Sequence, residues 1–150
     1  QINIWRDNFT GIQFKHIPTD FLIFGAVDDV WINPRRELVV VDYKATGASE
    51  YKIYDSYKRQ MEIYQWLLIK NSYQVSKIGY FLFAKVNKEG GFAAGKLSFD
   101  LFIEPEEGDS SWVENSIFEA KKIIDGPIPQ HNPNCPYCQF AKIQNKTTYA

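Results

Sequence analysis

Cysteine is scarce: Cys135 and Cys138 are the only two in 150 residues, both near the C-terminus. That excludes a disulfide framework and fits a reducing, cytoplasmic compartment. No apolar run approaches the ~18 residues a membrane-spanning helix needs. The N-terminus also lacks the charged and then apolar pattern of a leader. An excess of charge of one sign is missing too, with 17 basic side chains against 18 acidic ones and a net charge of −1. No global attraction to nucleic acid or to a membrane follows, so a polyanion would have to be gripped by a local patch. Internal repeats and low-complexity tracts are absent.

What is present suffices for an ordinary core. Hydrophobic residues make up 45% of the chain and aromatics 16%, and a chain of this length buries roughly 70% of the surface its unfolded form exposes. A single domain over residues 1–150 is expected. The pattern predicts a short strand from Ile12 to Ile17 and a strand from Phe21 to Ile32, interrupted by Gly25. A turn follows at Asn33-Pro34-Arg35-Arg36, then a strand buried on both faces from Leu38 to Lys44. Apolar residues at positions 57, 61, 64 and 68 predict a helix from Tyr54 to Lys70. Strands are expected from Lys77 to Val86 and from Leu97 to Ile103, separated by the turn at Glu89-Gly90-Gly91. A last helix opens on the capping-box pattern Ser111-Trp112-Val113-Glu114 and stops before Gly126-Pro127. Residues 127–150 read as an irregular, Cys-containing tail. The order points to an α/β domain with antiparallel hairpins.

The stretch LVVVDYKAT (residues 38–46) runs from four apolar residues into an aspartate and a lysine two positions apart, hence on one face of the strand. If Pro34-Arg35-Arg36 is a three-residue loop, cross-strand partners sum to 70. Asp28 then lies opposite Asp42 with Cβ atoms about 5 Å apart, and a one-residue slip would bring Asp29 there instead. Facing carboxylates repel, and a divalent cation is the obvious reason to keep them together. Lys44 beside them can orient or deprotonate a metal-bound water, or neutralise charge on a phosphate. The plainer alternative is that these charges merely solvate strand ends. Gln60 and Tyr64, spaced i, i+4, share a helix face and can reach the same place, or can simply border the core. Lys58 and Arg59 can contact a phosphate backbone, or can be solvated.

Gly25-x-x-Asp28, Asp42-x-Lys44 and Gln60-x-x-x-Tyr64, in that order, resemble the motif series of the PD-(D/E)XK nuclease superfamily. The RecB-like branch, which includes CRISPR-associated exonucleases, is the most similar. The resemblance implies a restriction-endonuclease-like core, a mixed β-sheet of about five strands flanked by helices. It implies Asp28, Asp42 and the backbone carbonyl of Tyr43 as ligands of Mg²⁺ or Mn²⁺, and Lys44 as the catalytic lysine. Gln60 and Tyr64 would support the site and the DNA, and Asp29 would be a supporting residue. The implied activity is metal-dependent hydrolysis of DNA phosphodiester bonds by an activated water, with single strands or ends as substrate and DNA repair or CRISPR-associated processing as setting.

The chain departs from the pattern in two places. The branch has an early helix that supplies a histidine or glutamate to the metal. Here the only upstream histidine is His16, in a strand-like segment beside Pro18, so this helix is expected to lie outside the sequence. Relatives with an iron–sulfur cluster use four cysteines, whereas Cys135 and Cys138 stand alone and no cluster is expected. A zinc site built on them, with His131 as a third ligand, is a weaker reading. The alternative class is a catalytically inactive nuclease-fold module that binds nucleic acid or a protein partner.

Overall fold

The structure, a computed structural model, describes residues 1–89, 91, 95–130 and 132–147. His131 and Gly90 lie outside the described residues, and with them the proposed third zinc ligand and the centre of the second hairpin turn. The order of elements is α1 (Ile2–Trp5), β1 (Ile12–His16), β2 (Phe21–Gly25), β3 (Asp29–Ile32), β4 (Leu38–Thr46), α2 (Asp55–Lys70), β5 (Ile78–Asn87), β6 (Ser98–Glu107), α3 (Ser111–Asp125) and α4 (Pro136–Thr147). Contacts divide the chain into two compact units, Gln1–Asn115 and Ser116–Ala150. Among the described residues no helix is long and apolar enough to cross a membrane.

The first unit holds both sheets. β1 and β2 form a two-stranded antiparallel sheet, and β3-β4-β5-β6 form a mixed sheet of four. The segment read as one strand from Phe21 to Ile32 is therefore two strands in different sheets, parted at residues 26–28 just after Gly25. The expected hairpin register is present: Asp29 pairs with Val41, Val30 with Val40, Trp31 with Val39 and Ile32 with Leu38. Its loop is closed by the N–H of Asn33 on the carbonyl of Glu37, with Arg36 in the left-handed region at φ 64°. β4 and β5 run parallel, which requires a long crossover between them, and α2 provides it. β6 is an edge strand and contains Pro105, whose missing N–H an edge tolerates.

The core forms where β4 meets α2. Val39, Val40, Val41 and Asp42 are all buried, so β4 is covered on both faces. α2 buries Met61, Tyr64, Gln65, Trp66, Leu67 and Leu68, and Met61, Leu67 and Leu68 each contribute about 1.5–3 kcal/mol. The helix ends at Asn71, whose side-chain amide donates to the carbonyls of Leu67 and Gln13. Two glycines let α2 lie close to the strands. A Cβ on Gly79 would strike the Met61 sulfur, and one on Gly25 would stand 2.8 Å from Cε1 of Tyr64.

In the second unit, the segment expected to be an irregular tail contains α4. The correction has a local cause: Pro136 is the first helical residue, where a missing N–H is harmless and its fixed φ suits the helix. Proline there starts a helix rather than ending one. Cys135 and Cys138 are both free thiols at the start of α4. The N–H of Cys138 pulls the Cys135 thiol below its ordinary range, while Cys135 pushes that of Cys138 up.

Candidate acid-and-lysine site

β4 carries Asp42 and Lys44 on one face where the strand leaves the core. Asp42 is only 2% exposed, and Lys44 Nζ lies 2.5 Å from its Oδ2. Lys44 is the one polar partner of that oxygen among the described residues. Burial pushes the Asp42 carboxyl up, Lys44 pulls it down, and the charge of Asp28 pushes it up again, leaving it above the usual carboxylate range.

Asp28 stands in a bend one residue ahead of the β3 ladder, which begins with Asp29 opposite Val41. It is exposed, and its Oδ2 accepts a 2.7 Å hydrogen bond from the backbone N–H of Tyr43. The Asp28 carboxylate is thus tied to the peptide that joins Asp42 to Tyr43. Asp29 turns to other partners. Its carboxylate accepts hydrogen bonds from the Tyr43 hydroxyl (2.7 Å) and the Val30 N–H (2.8 Å), and pairs with Arg6 at 2.7 Å. Partial burial pushes the Asp29 carboxyl up, but these partners pull it further down, below its ordinary value.

α2 completes the site. Lys44 Nζ donates to Gln60 Oε1 at 3.2 Å, and Gln60 Nε2 donates to the Tyr64 hydroxyl oxygen at 2.8 Å. The amide polarity fixes the direction of this chain, and the Tyr64 hydroxyl keeps its proton for another acceptor. Burial pushes the Tyr64 phenol up and Gln60 pulls it down. The charges of Asp42 and Asp28 push it up again, so the phenol stays neutral around pH 7. Lys44 also sits 4.5 Å over the ring of Tyr57, a cation–π contact that holds the ammonium in place. Asp42, Lys44, Gln60 and Tyr64 are linked directly, and Asp28 joins through the Tyr43 peptide.

Other expected residues are placed differently. Lys58 is paired with Glu106 at 2.7 Å, whereas Arg59 is exposed at the rim of a groove shared with Gln60 and Tyr64. His16 is buried, its Nδ1 2.7 Å from the Thr19 hydroxyl and its Nε2 2.9 Å from Glu114, so both ring nitrogens are engaged. Three contributors escaped the pattern reading. Arg6 donates to the Asp28 carbonyl at 2.8 Å, Tyr57 backs Lys44, and Phe24 walls the groove. Arg6 and Phe24 act across long sequence separations and leave no local signal. Tyr57 was legible only as part of the apolar stripe.

The residues present fit a hard divalent cation. The buried carboxylate of Asp42 and the exposed one of Asp28, tied to the neighbouring Tyr43 N–H, are oxygen donors of the kind such a cation takes. No group of three or more His, Cys, Asp or Glu side chains converges among the described residues, and Mg²⁺ is commonly held by one or two carboxylates together with water and substrate phosphate.

Comparison with known proteins identifies a superfamily. Residues 4–143 match the family model described as the PD-(D/E)XK nuclease superfamily. No curated protein matches the chain significantly. Among solved structures, the crystal structure of a protein named SSO0001 is similar at 20% identity and a TM-score of 0.45, over 82% of this chain and 51% of that one. The chain thus spans about half the length of that protein.

Proposed function

The chain belongs to the PD-(D/E)XK nuclease superfamily, and on that premise we propose that it is a nuclease of the RecB-like branch that hydrolyses DNA phosphodiester bonds with Mg²⁺ or Mn²⁺. The observation that carries the reading is the buried Asp42 carboxylate, whose Oδ2 is met only by the Lys44 ammonium among the described residues. Asp28, Asp42 and the Tyr43 carbonyl would hold the cation. When bound, it supplies Lewis acidity and charge neutralisation at the scissile phosphate.

The remaining work falls to the chain's own side chains. Lys44 brings a positive charge to the phosphate as negative charge builds in the transition state, or holds the attacking water by hydrogen bond. Gln60 and the Tyr57 ring keep its ammonium in position, which saves reorganisation at the moment of reaction. The Tyr64 hydroxyl has its proton free to donate to a phosphate oxygen, and Arg59 is available to the adjacent backbone. Single strands or ends are the proposed substrate.

The test is cleavage of labelled single- and double-stranded DNA with Mg²⁺ or Mn²⁺. Asp42→Asn and Lys44→Ala should each slow cleavage by at least about 100-fold. Cleavage unchanged in either variant would sink the assignment, and no cleavage by the unmodified protein would favour a binding module that keeps only the nuclease fold.

A further inference from the structure

We infer that the open groove between β2 and α2 is a subsite for an unpaired nucleobase, which makes a single strand or a splayed end the form of DNA presented to the neighbouring acid-and-lysine site. This deepens the nuclease reading and rests on it for its biological sense. Its physical basis is separate.

The groove has a volume of about 390 Å³, and Phe24, Ser56, Arg59, Gln60, Ile63 and Tyr64 line it. Phe24 leaves 52% of its surface in water. A single exposed aromatic needs no explanation on its own, but this one shares its groove with three groups suited to a nucleotide. Arg59 is exposed and, unlike Lys58 beside it, has no ion pair among the described residues. Gln60 spends one amide proton on Tyr64 and keeps another, and the Tyr64 hydroxyl keeps its own. An occupant with a flat apolar face, polar edges and a negatively charged linkage complements all of these. A nucleobase on its phosphate backbone is such an occupant.

Stacking on an aromatic ring or a guanidinium plane serves any base, because every base has a π face. A base in a duplex has both faces covered by its neighbours and must leave the stack to enter. Gln60 and Tyr64 belong at once to the groove and to the chain that ends on Lys44. A base seated there places its phosphate next to the site proposed for cleavage.

The experiment measures binding without cleavage. Fluorescence anisotropy in EDTA compares a short labelled oligothymidylate with an abasic strand of equal length, which keeps the phosphates and lacks the bases. The unmodified protein should bind the oligothymidylate about tenfold tighter or better. Phe24→Ala should bring the two strands level, and Phe24→Trp should keep them apart. Arg59→Ala should weaken both strands and flatten the salt dependence. Equal or no binding of the two strands by the unmodified protein overturns the subsite, as does a ratio untouched by Phe24→Ala. Because EDTA prevents cleavage, failure of the nuclease reading leaves this result unaffected. A chain that cuts DNA yet does not distinguish the strands loses the subsite alone.

Discussion

Asp42 keeps a buried carboxylate whose Oδ2 meets only Lys44 among the described residues, and burying a charge is costly even when it is paired. Lys44 offsets part of that, yet the carboxyl still sits above its ordinary range because burial outweighs the ion pair. A neutral isostere should therefore suit the metal-free protein better. Asp42→Asn should raise the melting temperature in EDTA by about 2–5 °C, measured by differential scanning calorimetry, while removing cleavage. A fall in melting temperature would mean that Lys44 stabilises the charge more than burial disfavours it. Asp42 and Lys44 were legible as a pair in the sequence because side chains two apart in a strand share a face. Arg6 was not, because it reaches Asp28 across more than twenty positions and nothing local marks it.

The elements are held in register by close contacts and by charged junctions, of which one joins three elements. Gly25 lies against the Tyr64 ring, so Gly25→Ala should push the ring aside and lower stability by about 1–3 kcal/mol, read as an earlier urea midpoint. It should also disturb the Gln60–Tyr64 bond that orders the site. This gives the glycine of the first motif a steric reason. The junction is Glu114, in the first turn of α3, which pairs with His16 of β1 and Lys70 of α2. Lys70 and then His16 hold its carboxyl below the ordinary range. A depressed carboxyl contributes stability above its unfolded pKa and loses it as pH falls through the folded one. Glu114→Gln should thus lower the melting temperature by about 1–3 °C at pH 7, with the difference vanishing once the pH is well below ~4. The hairpin register was readable because loop length and the period of two constrain it together. The start of α4 was not, because proline serves both as a breaker and as a first helical residue.

For the whole molecule, near-neutral charge limits how DNA can be held. With a net charge of −1 and Lys58 tied to Glu106, few cations remain near the site to displace counterions. The slope of log affinity for DNA against log salt should be shallow, between about −1 and −3, and a much steeper slope would point to a larger basic surface elsewhere. The superfamily was readable from three ordered motifs, and the α/β class from the order of strands and helices. The division into a four-stranded and a two-stranded sheet was not, since the break at residues 26–28 depends on which partner each half of an apolar run finds. The central claim is that Asp28 and Asp42 together hold a divalent cation for DNA cleavage. Titrating the protein with Mn²⁺ by isothermal calorimetry tests it most directly. Saturable binding is expected in the unmodified protein and in His16→Gln, and it should be lost in both Asp28→Asn and Asp42→Asn. Binding that survives in the two aspartate variants, or none in the unmodified protein, would contradict the account.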